Sequence, residues 1–154
     1  MAAAVPNPAG PMPPQMHWAV VLVLSWITFG LAGLIWIFKQ AGFVKKIDPN
    51  SKATAMLASS LGCMALQIVL TVVMFKSPSS AAVLSMLVML LNLVIVVVIL
   101  MAVFGMRKSI VQYYNTVEPI QLELSGVMTF FFSTLYFQYH FSRIAKWKTT
   151  GVLN

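Results

Sequence analysis

The residues best suited to chemistry lie in one aromatic segment near the end of this 154-residue chain. Their spacing of three and four residues would place them on one face of a helix. They are Thr129, Ser133, Tyr136, His140 and Arg143, with Lys146 and Lys148 just beyond. An imidazole and a guanidinium on one polar face could bind the phosphate of a lipid headgroup or of a substrate, with Glu118 or Glu123 nearby. The alternative, which we favour, is that this polar stripe docks the helix on its neighbours.

The rest of the sequence does not indicate catalytic or metal chemistry. The two histidines, His17 and His140, lie at opposite ends of the chain, and no carboxylate or thiol has metal-ligand spacing to either. The sequence has no Gly-rich phosphate loop, no nucleophile elbow and no paired carboxylate motif. We therefore expect a protein that is not an enzyme and that needs no cofactor or metal.

The helices that hold these residues in place are expected in three long apolar stretches. The sequence as a whole is 60% hydrophobic and 8% charged. Residues 18–38, 53–75 and 81–104 are 21, 23 and 24 residues long and contain no charged side chain. About 20 apolar residues cross the hydrocarbon core of a bilayer as a helix. We therefore predict an all-α integral membrane protein with three transmembrane helices at these positions. The lack of charge inside them argues against a self-contained transporter.

A fourth apolar stretch, residues 124–137, has only 14 residues. Segments of this length are more often re-entrant or interfacial than spanning. We therefore predict a short re-entrant or interfacial helix over about 124–141. A single helical membrane domain would then cover residues 17–148, between a Pro-rich disordered tail over 1–16 and a short C-terminal tail over 149–154.

The basic residues favour one orientation in the membrane. If the first three stretches cross and the fourth does not, nine of the ten Lys and Arg residues lie on one side, with Lys76 on the other. Cytoplasmic loops carry the excess of Lys and Arg, so we place the C-terminus inside and the N-terminus outside. A second arrangement stays open, because a shift of 101 residues aligns Thr28 with Thr129 and Lys45 with Lys146. If those segments are related, the first is also a hairpin, and the N-terminus is inside as well.

Small residues and two amides predict where the helices pack. The candidate packing residues are Ala55, Ala58, Ser59, Gly62, Cys63, Gln67, Asn92, Gly30 and Gly33. The first five have the small-xxx-small spacing that lets helix backbones approach closely in lipid. The two glycines of the first stretch allow either a close helix contact or a bend. The two amides lie at similar depth in the predicted hairpin, so they bond to each other or separately to backbone or to the first stretch.

These patterns lead to three hypotheses about function. The first is a non-enzymatic multi-pass membrane protein that serves as a small accessory or structural subunit of a membrane assembly, or as a homo-oligomer. The second is a factor that binds anionic lipid headgroups through the basic aromatic C-terminal helix. The third, which is weaker, is an oligomeric channel or transporter lined by Gln67, Asn92 and the polar stripe. Nucleic acid is not an expected partner, because the basic residues are spread thinly at the helix ends.

Two blocks of the sequence resemble a bacterial family of small multi-pass membrane proteins known as a domain of unknown function. The blocks are LSWITFGLAGLIWIFKQAGFVKKIDPNSKA and YYNTVEPIQLELSGVMTFFFSTLYFQYHFSRI. The resemblance covers most of residues 17–148 and is more specific in the second block. It implies a bacterial inner-membrane location, no assigned activity and no functional residues to carry over, although it draws attention to Glu118, Gln138, Tyr139 and His140.

Overall fold

The computed structural model describes residues 10–118 and 120–151, which form five α-helices. The helices are α1 (Trp18–Ile27), α2 (Leu31–Ile47), α3 (Ala53–Lys76), α4 (Ala81–Thr116) and α5 (Gly126–Thr150). A short 3-10 turn, Pro78–Ser80, joins α3 to α4. The predicted all-helical fold is confirmed for this part of the chain.

The hairpin of α3 and α4 is the longest feature of the molecule. Both helices are long and apolar enough to cross a bilayer, and at most 17% of the residues in their most apolar windows are buried within the protein. The second and third predicted helices, over 53–75 and 81–104, are therefore present. α4 continues as far as Thr116, well beyond the predicted end, because its last turns pack into the core.

The first apolar stretch is two helices, so the prediction of one helix over residues 18–38 is wrong. The chain turns at Phe29 and Gly30, which have φ of 50° and 92°, in the left-handed region that ends helices. The hydroxyl of Thr28 accepts from the Ala32 N–H (2.9 Å) and donates to the carbonyl of Leu24 (2.7 Å). α1 and α2 fold back on each other. Among the described residues, two helices are both long and apolar enough to span a bilayer, where three were expected.

The fourth predicted helix corresponds to α5, but α5 is longer and sharply bent. Its backbone leaves helical geometry at Ser133, where φ is 17° and ψ is −90°. The Tyr136 hydroxyl accepts from the Ser125 N–H at 3.0 Å. In a straight helix these residues would be about 16 Å apart along the axis. The bend therefore folds the first part of α5, residues 126–132, back against the rest.

One end of the molecule, here called the core end, contains the hydrophobic core. Here the second halves of α2 and α5 meet the last turns of α4 and the first turns of α3. An extended segment, residues 120–125, lines the core with Ile120, Leu122 and Leu124. Arg107 Nε holds this segment by donating to the Leu124 carbonyl at 2.7 Å. The opposite end, the turn end, is the α3–α4 hairpin alone, because the buried residues of α3 all precede Leu61.

Residues 10–16 form an extended strap against α5, although the sequence predicts a disordered tail over 1–16. Gln138 Nε2 donates to the carbonyls of Pro14 (3.1 Å) and Met16 (2.7 Å), and Lys148 Nζ donates to that of Pro11 (3.2 Å). Residues 1–9 and 152–154 of the predicted tails lie outside the described residues. The strap and the end of α5 therefore both lie at the core end.

Candidate functional site

The small residues predicted to pack α3 lie on its outer face. Ala55, Ala58, Ser59 and Gly62 are exposed, and Cys63 is half-buried. The buried residues of α3 are on the opposite face, because Ala53, Leu57 and Ser60 are those that turn toward the core. A Cβ added at Gly62 would meet no atom within 4 Å. Across residues 10–118 and 120–151, no other element covers this small-residue face.

The two predicted hairpin amides do not meet. Gln67 is half-buried and Asn92 is exposed on α4. Within the described residues, no hydrogen bond joins the two side chains. Asn92 thus presents an amide on the outer surface of an apolar helix, about halfway along the stretch 81–104. The lining proposed for an oligomeric channel is not a continuous surface of one chain, since Thr129 is fully buried.

The two glycines of the first stretch have different roles. Gly30 is at the turn between α1 and α2, where its φ of 92° suits a residue without a Cβ. Gly33 lies at a close contact between α1 and α2, because a Cβ there would be 2.8 Å from Ser25 Oγ. Both of the alternatives considered for these residues, a bend and a close contact, therefore occur.

The polar stripe of α5 is divided by the bend at Ser133 and is mostly turned inward. His140 is buried, with its ring 4.6 Å from that of Tyr136 in an edge-on arrangement. Burial lowers the pKa of His140 to about 4, and the nearby Arg143 guanidinium lowers it further. The imidazole is therefore neutral near pH 7 and does not supply the positive charge that a phosphate site would need. Arg143 lies over the ring of Tyr139 (5.8 Å), and Lys146 is exposed.

Lys148, one of the candidate headgroup residues in the sequence, forms a buried ion pair. Its Nζ is 2.8 Å from Glu118 Oε1, and both side chains are 1% exposed. The Tyr113 hydroxyl donates to the same carboxylate oxygen at 3.0 Å. Burial raises the pKa of Tyr114 far above its ordinary value, and the charge of Glu118 raises it further. These groups join the end of α4 to the end of α5, beyond the apolar stretch 81–104.

A cluster of amides around Gln138 connects α2, α5 and the strap. Gln138 Oε1 accepts from Trp36 Nε1 at 2.8 Å, and Gln40 Nε2 donates to the Thr134 carbonyl at 2.9 Å. Gln40 and Gln138 are both fully buried. Neither Trp36 nor Gln40 was among the predicted site residues, although their spacing of four residues places them on one helix face. The cluster joins three segments of the described chain, which indicates a structural role.

The described residues contain no metal-binding group, since no three His, Cys, Asp or Glu side chains lie together there. Comparison with known proteins adds no further assignment: no family model, curated protein or solved structure matches the chain. The resemblance to a bacterial membrane family therefore stays a prediction.

Proposed function

We propose that this chain is a non-enzymatic integral membrane protein that acts by lateral association through the outer face of α3. The associating partner is a second copy, in a homo-oligomer, or a larger membrane assembly of which this chain is a small accessory subunit. We further propose that the membrane is the bacterial inner membrane, as the family resemblance implies.

The proposed membrane placement has α3 and residues 81–104 of α4 as the two spans. Nine of the ten Lys and Arg residues then belong to the core end, and Lys76 is at the turn end. The positive-inside rule supports a cytoplasmic core end. The contacts of the strap with α5 support an N-terminus on that same side, and so replace the outside placement that the sequence favoured. α1, the start of α2 and the start of α5 would enter the cytoplasmic leaflet only.

The observation that carries the proposal is the exposure of Ala58 and Gly62 on α3. In lipid, helices associate through close backbone contact and interhelical hydrogen bonds, because the lipid tails are as apolar as the side chains. A small-residue face that the rest of the described structure leaves uncovered is suited to such contact. Asn92 adds support, since an amide exposed to hydrocarbon gains a hydrogen bond only from another protein group.

Cysteine cross-linking tests the proposal. In a Cys63→Ala background, we expect Gly62→Cys and Ala58→Cys to form cross-linked species with a short bifunctional maleimide in native membranes. Leu61→Cys is the matched control, because Leu61 is exposed at the same depth but about 100° around the helix from Gly62. A dimer-sized product that also forms in proteoliposomes identifies a homo-oligomer, and a larger product confined to native membranes identifies an accessory subunit. Equal cross-linking at Leu61 and Gly62, or none at either, would contradict the proposal.

A second candidate, an anionic-lipid factor, is favoured by the exposed aromatic side chains of the α1–α2 hairpin. Trp26 and Phe29 are 87% and 98% exposed at its turn. Aromatic rings placed this way suit insertion among lipid chains, with the lysines of the core end near the headgroups. Lipid-bound bromine should then quench the Trp26 emission, measured against a Trp26→Phe variant. A lack of quenching would remove this candidate.

A further inference from the structure

A cavity of about 390 Å³ lies between the start of α3 and the last turns of α4. Its polar wall includes Lys52, Lys108 and Gln112, and its apolar wall includes Met56, Met101 and Gly105. This size falls within the usual range for small-molecule sites, about 300–1,000 Å³. A cavity that is basic on one side and apolar on the other matches a ligand with an anionic head and a hydrocarbon tail.

The charges around the cavity favour an anion of low charge. Lys52 and Lys108 are exposed, and neither forms an ion pair within the described residues. The carboxylate of Asp48 is already occupied, since one oxygen accepts from Ser109 Oγ (2.6 Å) and the other from the Asn50 N–H (3.1 Å). Two lysines and one carboxylate leave a formal charge of +1, which complements one phosphodiester.

The position of the cavity also points to a lipid. Ala53 and Gly105 mark the ends of the two apolar stretches, so the cavity lies where the hairpin passes from apolar to basic sequence. In the membrane placement proposed above, on which this inference rests, that level is the cytoplasmic headgroup region. The first turn of α3 also begins here, with Ser51 Oγ accepting from the Ala53 N–H at 3.5 Å, and the positive end of the helix dipole adds to the positive potential.

We propose that this cavity binds an anionic phospholipid, with the phosphodiester between Lys52 and Lys108 and one acyl chain against Met56 and Met101. The site differs from the polar stripe of α5, the candidate phosphate site in the sequence. It is also separate from Ala58 and Gly62, because Met56 lies at least about 120° around α3 from both of them.

Native mass spectrometry of the purified full-length protein in nonionic detergent tests this site. Phosphatidylglycerol and phosphatidylcholine are added separately, and apparent dissociation constants are taken from the adduct intensities. We expect phosphatidylglycerol to bind more tightly. Lys52→Gln with Lys108→Gln should weaken its binding roughly 30-fold, since each lysine near an anionic group contributes about fivefold. The matched control is Lys45→Gln with Lys46→Gln, two exposed lysines that do not line the cavity, and it should change binding less than threefold.

A substitution that fills the cavity distinguishes specific lipid binding in the cavity from nonspecific attraction of anionic lipid to a basic surface. A Cβ at Gly105 would meet no atom within 4 Å, so Gly105→Leu can enter the cavity without a clash at that atom. It should reduce phosphatidylglycerol binding at least tenfold while it leaves the net charge unchanged. Equal losses in the two lysine pairs, or full binding by Gly105→Leu, would overturn the proposal.

Two further comparisons complete the test. One shows whether the bound phosphate belongs to a lipid or to a free compound, and the other separates failure of this site from failure of the proposed association. Inorganic phosphate and glycerol phosphate should not displace the lipid at equal concentration; displacement would indicate a site for a free phosphate compound and overturn the lipid assignment. If phosphatidylglycerol binds more tightly than phosphatidylcholine but the predicted α3 cross-links do not form, this site is supported and the lateral association through α3 is refuted. Cross-links without selectivity for phosphatidylglycerol over phosphatidylcholine would refute the site and leave the association standing.

Discussion

At the core end, single polar side chains connect segments that are far apart in the sequence through hydrogen bonds and an ion pair. Gln138 contacts residues of α2 and of the strap, and Lys148 contacts both the strap and Glu118. Each of these groups is buried, so its removal leaves a partner without a hydrogen bond, at a cost of about 1–3 kcal/mol per neutral group. Such residues define the register of the core, whereas its apolar side chains supply the buried area.

A double-mutant cycle should reveal the coupling between Glu118 and Lys148. We expect Glu118→Gln to lower the free energy of unfolding by about 3–5 kcal/mol, because the Lys148 ammonium stays buried without its counter-charge. Adding Lys148→Met should recover part of this loss. Unfolding in mixed micelles with increasing dodecyl sulfate measures each variant. Lys146→Met, on the exposed side of the same turn, is the control and should stay within about 0.5 kcal/mol of wild type. Additive effects of the two buried substitutions would argue against the pair.

The pKa of His140 predicts acid-sensitive stability. Its folded value of about 4 is below its ordinary value of 6.5. Between these pH values the unfolded chain takes up a proton that the folded chain does not, so stability falls as pH drops from about 6.5 to about 4. The expected loss is about 3 kcal/mol. Thermal unfolding from pH 7 to pH 4 should show this slope in the wild type and in a control, His17→Phe. His140→Phe should flatten it, and an unchanged slope would contradict the assignment.

At the scale of elements, the α1–α2 hairpin depends on the contact between Gly33 and Ser25. We expect Gly33→Ala to destabilise the hairpin, because the new Cβ would lie 2.8 Å from Ser25 Oγ. With Ser25→Ala in addition, the nearest remaining atom is the Cβ at 3.5 Å, and the double variant should regain stability. It should also gain up to about 1 kcal/mol from the better helix propensity of alanine. Thermal unfolding of the single and double variants measures both effects, and equal loss in the two would contradict this contact.

The sequence predicted a helix well where the length of an apolar stretch determines it. It predicted poorly where a few residues turn or bend the chain. α3 matches its predicted bounds within one residue, because lysines mark both of its ends. The first stretch has the length and apolarity of a span, so length could not reveal that Phe29 and Gly30 turn the chain back. α4 passes through Arg107 and Lys108 without ending, since Met106, Ile110 and Tyr114 face a core formed by α2 and α5. The bend at Ser133 has no Pro or Gly in its neighbourhood and no local sequence signal.

The candidate sites, too, were predictable only where residue type and spacing carry a signal. The small residues of α3 and the basic ends of the helices could be read from sequence, because composition and spacing carry that information. The pairing of Lys148 with Glu118, and the meeting of Lys52 with Lys108, could not. Each joins residues 30 or more positions apart, which only the folded chain brings together.

At the scale of the molecule, both described ends of the chain should be accessible from one side of the membrane. Single cysteines at Gln15, Ser79 and Thr149 in a Cys63→Ala background test this with an impermeant thiol reagent on sealed vesicles. We expect Gln15→Cys and Thr149→Cys to react from the cytoplasmic side and Ser79→Cys from the opposite side. Reaction of positions 15 and 79 from the same side would contradict the two-span arrangement.

The unequal ends of the molecule have a mechanical consequence. Parts of four helices form the core at one end, and only α3 and α4 reach the turn end. In the proposed bilayer placement the described residues would therefore form a wedge that displaces more lipid from one monolayer than from the other. A wedge relaxes elastic stress in the bilayer where the membrane curves toward the thin side of the wedge. It adds stress where the membrane curves the other way. Membrane shape alone would therefore bias where copies of this protein gather, before any contact between them forms.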